Sequence, residues 1–397
     1  MKIAILHGEV AEDACRDEKD VLVQVDFVSE GLTKLGHEPV AVPVSLNLEE
    51  AARTLATFCP AIVFNLVESL VGKGGLIHII PALLDALKIP YTGAGAETMM
   101  LTSNKVLAKK WLSSAGLPTP PWFTTTEGHE DLQIAGPWLI KSIWEHASIG
   151  LDEDSVIQKA DRGRLLAEMD ARRDTLGGAC LAEAFIDGRE FNLSLLVERK
   201  DPQVACPAYA AQSATSHLAL GSGPDDSSGK DHGLPGDSFL MGKGGPNGGP
   251  DGCIRSPLTR ESGPEVLPPA EIRFDAYPPG KVRVVGYRSK WEEGSFEFSH
   301  TPRSFMFPET DVPLLLRLKE LALRCWKLFD LRGYARVDLR VDKEGRPWIL
   351  EVNANPCLSP DAGFHAATLH ADLTFAEVLE RIIGDNKKTY PQIAPFS

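Results

Sequence analysis

The chain has 397 residues, of which 43% are hydrophobic and 24% charged, a composition typical of a globular protein with two or three domains. It carries 41 Lys and Arg against 55 Asp and Glu, and the net charge of −14 disfavours sequence-independent binding of nucleic acid. A small anionic ligand in a local basic pocket is not excluded. No stretch is apolar enough to span a membrane, the N-terminus does not resemble a signal peptide, and the seven cysteines include no CxxC pair. We therefore expect a cytoplasmic protein with reduced thiols.

The first hundred residues alternate between short apolar runs and amphipathic helical patterns. The predicted strands cover residues 2–6, 39–44 and 61–67. The predicted helices cover residues 20–34, 48–58 (with Asn47 and Glu50 as a capping pair) and 76–87. This alternation is typical of a doubly wound parallel α/β domain, which we place at residues 1–100.

The remainder of the chain has a mixed α+β pattern. Ser103 is predicted to cap a helix over 104–115, and a proline-rich link follows at 118–121. Further strands are predicted at 138–143, 179–185, 190–197, 283–287, 335–341 and 348–353, with helices at 162–175 and 312–329.

One segment differs sharply in composition. Residues 221–252 contain 11 glycines and four prolines among 32 residues. Such a sequence cannot bury enough apolar surface to offset its ordering entropy, so we predict a disordered insertion over 213–267. A string at 236–244 resembles a phosphate loop, but its glycine spacing is one residue too long and no helical pattern follows. The glycine-rich string at 72–75 is interpreted in the same way, as a loop.

Cys357, His365 and His370 match no common zinc-site spacing, and we interpret them as loop and helix residues. A stronger candidate for metal binding lies in the preceding hairpin.

The most informative pattern is two alternating runs around a glycine-containing turn at 343–346, which predicts a β-hairpin. With this turn, Asp338 lies opposite Glu351 and Arg336 opposite Asn353, with all four side chains on one face. Opposed carboxylates repel each other unless one is protonated, an arginine bridges them, or a divalent cation lies between them. The oxygen ligands of Asp338, Glu351 and Asn353 suit Mg²⁺ or Mn²⁺ better than zinc. A solvated face of mixed charges is the alternative interpretation.

Arg336 and Asp338, followed by Leu-Glu-Val-Asn-Ala-Asn-Pro at 350–356, resemble the metal-binding end of the ATP-grasp superfamily. The match is closest to the D-alanine–D-alanine ligase family, whose motifs follow in order over most of the chain outside the insertion. The resemblance implies a two-part ATP-grasp domain, which we place at 101–180 and 181–397. It also implies ATP and two Mg²⁺ or Mn²⁺ ions as cofactors, the ions held by the metal positions named above.

The same resemblance assigns nucleotide-binding positions. Lys105 and Lys141 match lysines that contact the ATP phosphates, and Ser148 lies in a small-residue loop that closes over them. The positions that match the adenosine site are Glu183 with the adjoining backbone (adenine amino group), Phe185 and Ile186 (adenine ring) and Glu190 (ribose hydroxyls).

The implied chemistry is ligation through an acyl phosphate. Lys290 matches a further phosphate-reaching lysine, Arg336 a residue that stabilises the tetrahedral oxyanion, and Glu12 an acidic residue that binds the first amino acid. The expected partners are small carboxylate and amine substrates, such as amino acids or short peptides, and a homodimer is compatible with this interpretation. A nucleotide-binding regulatory protein of the same fold, without ligase turnover, is the alternative.

Positions around the amino-acid substrate depart from the family pattern. The expected His-Gly pair after the third strand is replaced by residues 64–68, an expected serine by Ala147, and an expected tyrosine by Trp291. The final loop has Cys357 where the family usually has glycine. We therefore expect a ligase whose carboxylate and amine are undetermined, and the use of D-alanine stays open.

Overall fold

The computed structural model describes residues 1–127, 134, 136–144, 150–159, 161–198 and 263–385. Ser148 and Ala147, and residues 213–262 of the predicted insertion with the string at 236–244, lie outside this range. Within the described ranges no helix is both long enough and apolar enough to cross a membrane.

The N-terminal region is a parallel three-stranded sheet flanked by helices, in the order β2-β1-β3. Its strands are β1 (Lys2–Gly8), β2 (Glu38–Val44) and β3 (Ile62–Asn65), and its helices are α1 (Arg16–Lys34), α2 (Leu48–Phe58), α3 (Ile79–Leu87) and α4 (Ala96–Ser103). Parallel strands need helical crossovers, which cover both faces of the sheet, and the central apolar residues of β1 are accordingly inaccessible to solvent. The predicted doubly wound pattern is confirmed here.

Helix starts follow from local capping chemistry. Asn47 caps α2 as predicted, accepting a hydrogen bond from the Glu50 amide at 3.3 Å and donating one to its carboxylate at 2.9 Å. The predicted cap at Ser103 is wrong, because its hydroxyl donates to the carbonyl four residues earlier and extends α4. Asn104 caps the next helix, α5 (Lys105–Ser114), by accepting two amide hydrogen bonds at 3.0 and 2.9 Å.

The central region is a four-stranded antiparallel sheet in the order β4-β7-β5-β6. Its strands are β4 (Trp122–Phe123), β5 (Trp138–Ser142), β6 (Val156–Ile157) and β7 (Cys180–Ala184), and its helix is α6 (Arg162–Ala171). One face packs on α6 through Trp138, Ile140 and Leu165. The opposite face carries Lys141 and Glu183.

The C-terminal region is a six-stranded sheet in the order β11-β10-β8-β12-β13, with β9 also paired to β8. Its strands are β8 (Gly188–Val197), β9 (Pro264–Val266), β10 (Ala270–Ile272), β11 (Arg303–Ser304), β12 (Tyr334–Asp342) and β13 (Pro347–Asn353). Its helices are α7 (Tyr287–Trp291), α8 (Phe296–Ser299), α9 (Val312–Leu328), α10 (Gly363–Leu369) and α11 (Phe375–Asp385). Short 3-10 turns lie at Gly74–Leu76, Glu153–Ser155, Asp174–Leu176 and Glu309–Asp311. Val337, Leu339 and Val341 of β12 enter the apolar core, so the alternate residues of this strand form a polar face.

Two predictions for this region are wrong. Residues 283–287 form no strand; their alternating pattern ends instead in α7, where the Tyr287 amide donates to the Leu151 carbonyl at 2.8 Å. The last residues of the predicted insertion, 263–267, are ordered, because β9 pairs with β8 and Leu267 is fully buried. The apolar Val266 and Leu267 explain why this end differs from the glycine-rich segment before it.

Candidate active site

The polar face of the β12–β13 hairpin brings the predicted metal-site residues together. Asp338 pairs with Glu351 and Arg336 with Asn353, which confirms the predicted register for these pairs. Nearer the turn, from Leu339 onward, the observed pairs are offset by one residue from the prediction. A β-bulge between Asp338 and Leu339 separates this stretch from the pairs in the predicted register.

Asp338 is held on this face by two neighbouring side chains. Arg336 donates to both carboxylate oxygens of Asp338 at 2.8 Å, and Asn192 of β8 donates to one of them at 2.7 Å. Burial opposes the charge of Arg336, but Asp338 and Glu351 outweigh it and hold the pKa of the guanidinium above its ordinary value. The arginine contact that the sequence left open is therefore present for Asp338.

Lys290 lies within the field of the same cluster. Lys290 is exposed, yet the surrounding protein desolvates its ammonium group enough to lower its pKa, and Arg336 adds to this effect. Glu351, Asp338 and Glu190 oppose the shift. Lys290 is therefore close enough to Arg336, Glu351 and Asp338 for their charges to act on its pKa.

Arg340, which was not among the predicted residues, organises the predicted adenosine positions. It donates to Glu190 Oε2 at 2.9 and 2.6 Å and to the Ile186 carbonyl at 2.8 Å. Its guanidinium also lies 4.9 Å from the centre of the Phe185 ring, within range of a cation–π contact. Arg340 shares the face of Arg336 and Asp338 at a spacing of two, so alternation along β12 could have revealed it.

Glu183 and Lys141 form part of a buried ion-pair network. Lys141 contacts Glu183 Oε1, and Lys109 of α5 lies 2.7 Å from Glu183 Oε2. Burial tends to raise the pKa of Glu183, but the two ammonium groups outweigh it and lower the pKa overall. Burial lowers the pKa of Lys109 to about 8. Lys109 was also not predicted; the available signal was its position one helical turn after Lys105.

Lys105 is the first residue of α5 and is buried. Its backbone amide donates to the Ile143 carbonyl at 3.0 Å, just after the strand that carries Lys141. This bond fixes the N-terminus of α5 against the end of β5, so the two predicted phosphate lysines lie on adjoining elements.

The N-terminal region contributes carboxylates other than the predicted one. Glu12 lies exposed in the turn before α1, whereas Asp17 accepts a hydrogen bond at 3.0 Å from the Tyr287 hydroxyl on the helix of Lys290. Asp20 accepts hydrogen bonds at 3.1 Å from Cys357 and Ser359 in the final loop. Burial raises the pKa of Asp20. Asp17 and Asp20 thus connect α1 to the helix of Lys290 and to the loop that follows the hairpin.

Three positions that depart from the family pattern, Glu68, Trp291 and Cys357, each form a hydrogen bond with a residue of α1. Glu68 accepts a hydrogen bond from Gln24 at 2.6 Å, and the Trp291 carbonyl accepts one from Arg16 at 3.2 Å. A small cavity lies between Glu68 and the hairpin end, and its other lining residues are Ile77, Met99, Thr102, Ser103, Val352, Asn353, Ala354 and Asn355. Nonpolar and hydroxyl groups therefore border the cavity beside Asn353.

The donor set of the hairpin fits a hard divalent cation. Asp338, Glu351 and Asn353 present two carboxylates and one amide on neighbouring strand positions, as Mg²⁺ and Mn²⁺ prefer. In the described part of the chain, no group of three or more His, Cys, Asp or Glu side chains could hold a metal. His365 packs against the rings of Phe27 and Phe375, consistent with its interpretation as a helix residue.

Comparisons with known proteins show similarity to D-alanine--D-alanine ligases. A family model described as D-ala D-ala ligase C-terminus matches residues 266–384. A D-alanine--D-alanine ligase from Moorella thermoacetica is 24% identical over 398 residues, covering 96% of this chain and 98% of the relative. One from Methylococcus capsulatus is 25% identical over 326 residues, covering 81% and 77%.

The fold is also similar to solved structures. The crystal structure of a D-alanine--D-alanine ligase from Bacillus anthracis complexed with ATP has a TM-score of 0.62 and 18% sequence identity, covering 98% of this chain and 97% of that chain. At this identity the likeness establishes the fold, mixed helices and sheets in the ATP-grasp arrangement.

Proposed function

Since the chain is D-alanine–D-alanine ligase-like and has the ATP-grasp fold, we propose that it is an ATP-dependent carboxylate–amine ligase with an altered amino-acid pocket. The comparisons support an ATP-dependent ligase. The observation that most supports the finer proposal is the hairpin face, where Arg336, Asp338, Glu351 and Asn353 lie together with Lys290 nearby.

The phosphate end of the nucleotide would lie between this face and the lysines of the central region. Asp338, Glu351 and Asn353 would hold two Mg²⁺ or Mn²⁺ ions, which when bound offset the negative charge of the phosphates. In the proposal Lys105, Lys141 and Lys290 add positive charge to the same place, together with the loop of Ser148. An electropositive pocket of this kind is compatible with the acidic net charge of the whole chain.

The adenosine end would lie between the central and C-terminal sheets. Because both oxygens of Glu183 contact lysines, the backbone beside it is left to bind the adenine amino group. Phe185 and Ile186 would line the ring. Both bonds from Arg340 to Glu190 end on Oε2, so within the described residues Oε1 stays available to the ribose hydroxyls.

The proposed reaction has two steps. The substrate carboxylate attacks the γ-phosphate of ATP, which releases ADP and forms an acyl phosphate. The amine then attacks the acyl carbon and phosphate leaves, with the oxyanion stabilised by the guanidinium of Arg336. The product is an amide or peptide bond.

The substrates we propose are small amino acids or short peptides. Glu12 remains a predicted ligand of the first amino acid, and the bond between Asp17 and Tyr287 makes Asp17 a second candidate carboxylate.

A cytoplasmic location and a homodimer remain part of the proposal, as do domain limits at 1–100, 101–180 and 181–397. Glu68, Ala147 and Trp291 at substrate positions favour, as a second candidate, a nucleotide-binding regulator without turnover.

The test is phosphate release from Mg-ATP across a panel of amino acids and dipeptides, D-alanine included. We expect at least one carboxylate–amine pair to stimulate release and to yield a condensed product by mass spectrometry. Binding of ATP without stimulation by any pair would favour the regulatory function instead.

A further inference from the structure

A buried network links the helix and strands that carry the predicted phosphate lysines. Lys109 on α5 and Lys141 on β5 contact opposite oxygens of Glu183 on β7. The side chains of Lys109 and Glu183 are 1% and 2% exposed, whereas that of Lys141 is 12% exposed. Lys141 is therefore the member of the network that a ligand can reach.

We propose, resting on the proposed function, that Lys109 is a positioning residue for ATP: it neutralises Glu183 from the buried side and leaves Lys141 charged for the phosphates. One carboxylate cannot compensate two ammonium groups, so the network carries one net positive charge when both lysines are protonated. Because Lys109 is inaccessible, that charge acts on a ligand through Lys141. Without the charge on Lys109, Glu183 and Lys141 would form an ion pair with no net charge to attract the phosphates.

The remaining contacts of Lys109 explain why it does not reach the nucleotide itself. Its ammonium group also donates to Thr119 Oγ1 at 2.9 Å and to the Pro120 carbonyl at 3.4 Å. Thr119 in turn donates to the Ile349 carbonyl at 3.0 Å. These two hydrogen bonds, together with the ion pair to Glu183, hold Lys109 in place.

The charge on Lys109 is expected to titrate close to neutral pH. The charged groups that face it among the described residues are Glu183 and Lys141; on its own helix, Lys105 lies one turn earlier and Lys110 is paired at the surface. Burial lowers its pKa to about 8 against the opposing effect of Glu183. The affinity for ATP should therefore fall as the pH rises through this value.

The experiment measures dissociation constants of the full-length protein for Mg-ATP, by calorimetry, and for adenosine, by competition. We expect Lys109→Met to weaken ATP binding about tenfold, a coupling typical of linked sites, with adenosine within about twofold. The fall of ATP affinity near pH 8 should also disappear in this variant. Lys110→Met, a surface change at the next residue, should leave both constants unchanged.

A double variant separates positioning from simple structural support. Adding Glu183→Gln to Lys109→Met removes the charge that holds Lys141, so ATP should bind more tightly than to Lys109→Met alone. Equal losses for ATP and adenosine, or no recovery in the double variant, would overturn the proposal. The wild-type profile needs no variant, and an ATP affinity that stays constant between about pH 7 and 9 would also overturn it. A wild-type protein that binds neither ligand would instead refute the proposed function.

Discussion

The ion pair of Lys109 with Glu183 on the central sheet and that of Arg336 with Asp338 on the C-terminal hairpin differ in their access to solvent. Lys109 and Glu183 on the central side are almost completely buried, and each is fixed by several partners. On the C-terminal hairpin, the side chains of Arg336 and Asp338 are 19% and 13% exposed. Removing Lys109 or Glu183 would leave the other charge buried without a partner and without water. Arg336 and Asp338, which water can reach, can instead rearrange around a ligand.

The contrast implies a division of roles. Changes in the buried network should act on folding or on the charge of Lys141, whereas changes on the hairpin face should act on chemistry.

Replacing Glu183 by Ala should cause the largest loss of stability. Two lysines would be left near each other in a dry environment, which costs about 3 kcal/mol of unfolding free energy. Urea unfolding monitored by circular dichroism measures the change. Glu49→Ala, which removes an exposed i,i+4 pair with Arg53, should shift stability by less than about 0.5 kcal/mol. Equal losses of unfolding free energy in the two variants would show that the buried network contributes no more to stability than an exposed ion pair.

Glu351→Gln should act on turnover rather than on stability. It preserves the shape of the side chain but removes a carboxylate from the proposed metal site, so ligase turnover should fall at least about 100-fold. Product formation over a series of Mg²⁺ concentrations gives the measurement. Glu344→Gln in the exposed turn of the same hairpin is the matched control and should keep full activity. Undiminished turnover in Glu351→Gln would contradict the assignment.

Arg340→Gln should weaken the adenosine end of the site. Loss of its bonds to Glu190 and Ile186 should raise the dissociation constants of ATP and adenosine in parallel, by about tenfold. This pattern differs from that expected for Lys109→Met, which affects ATP alone. Arg346→Gln on the neighbouring exposed turn provides the control. An effect confined to ATP would place Arg340 with the phosphates instead.

The smallest expected effect is a pH dependence of stability. Because the pKa of Lys109 in the folded protein, about 8, lies below its ordinary value of 10.5, the folded state binds fewer protons between these values. The contribution of this group to the unfolding free energy therefore rises with pH. Relative to Lys109→Met, wild-type stability should increase by about 1 kcal/mol between pH 8 and 9. A constant difference would show that Lys109 does not titrate there.

The elements with strong local patterns were predictable from sequence. The alternation of strands and helices in the first region and the capping pair of Asn47 and Glu50 depend on neighbouring residues, and both are confirmed. Ser103 and Asn104 show the limit of that approach. Both residue types can cap a helix, and in the structure the Ser103 hydroxyl donates within α4 while Asn104 caps α5.

The buried network could not be predicted in this way. Lys109 and Glu183 are 74 positions apart, and the position of Lys109 one turn after Lys105 does not reveal that it is buried while Lys110 lies at the surface. Their burial depends on how α5 packs against the central sheet. For the same reason, the contact of Asp17 with Tyr287 was missed, since it joins residues far apart in the chain.

The β-bulge in the hairpin determines which residues of β13 lie on the polar face of the sheet. On β13, Trp348 lies on the polar face opposite Arg340, whereas Ile349 and Val352 both enter the core. The alternation of buried and polar residues along β13 therefore shifts by one position at Leu350. Even-numbered residues lie on the polar face before Leu350, and odd-numbered residues lie there after it. If the register found near the turn continued without the bulge, Glu351 would pair with Val337, and its carboxylate would point into the apolar core. One residue without a polar group thus determines which side of the sheet receives the negative charge.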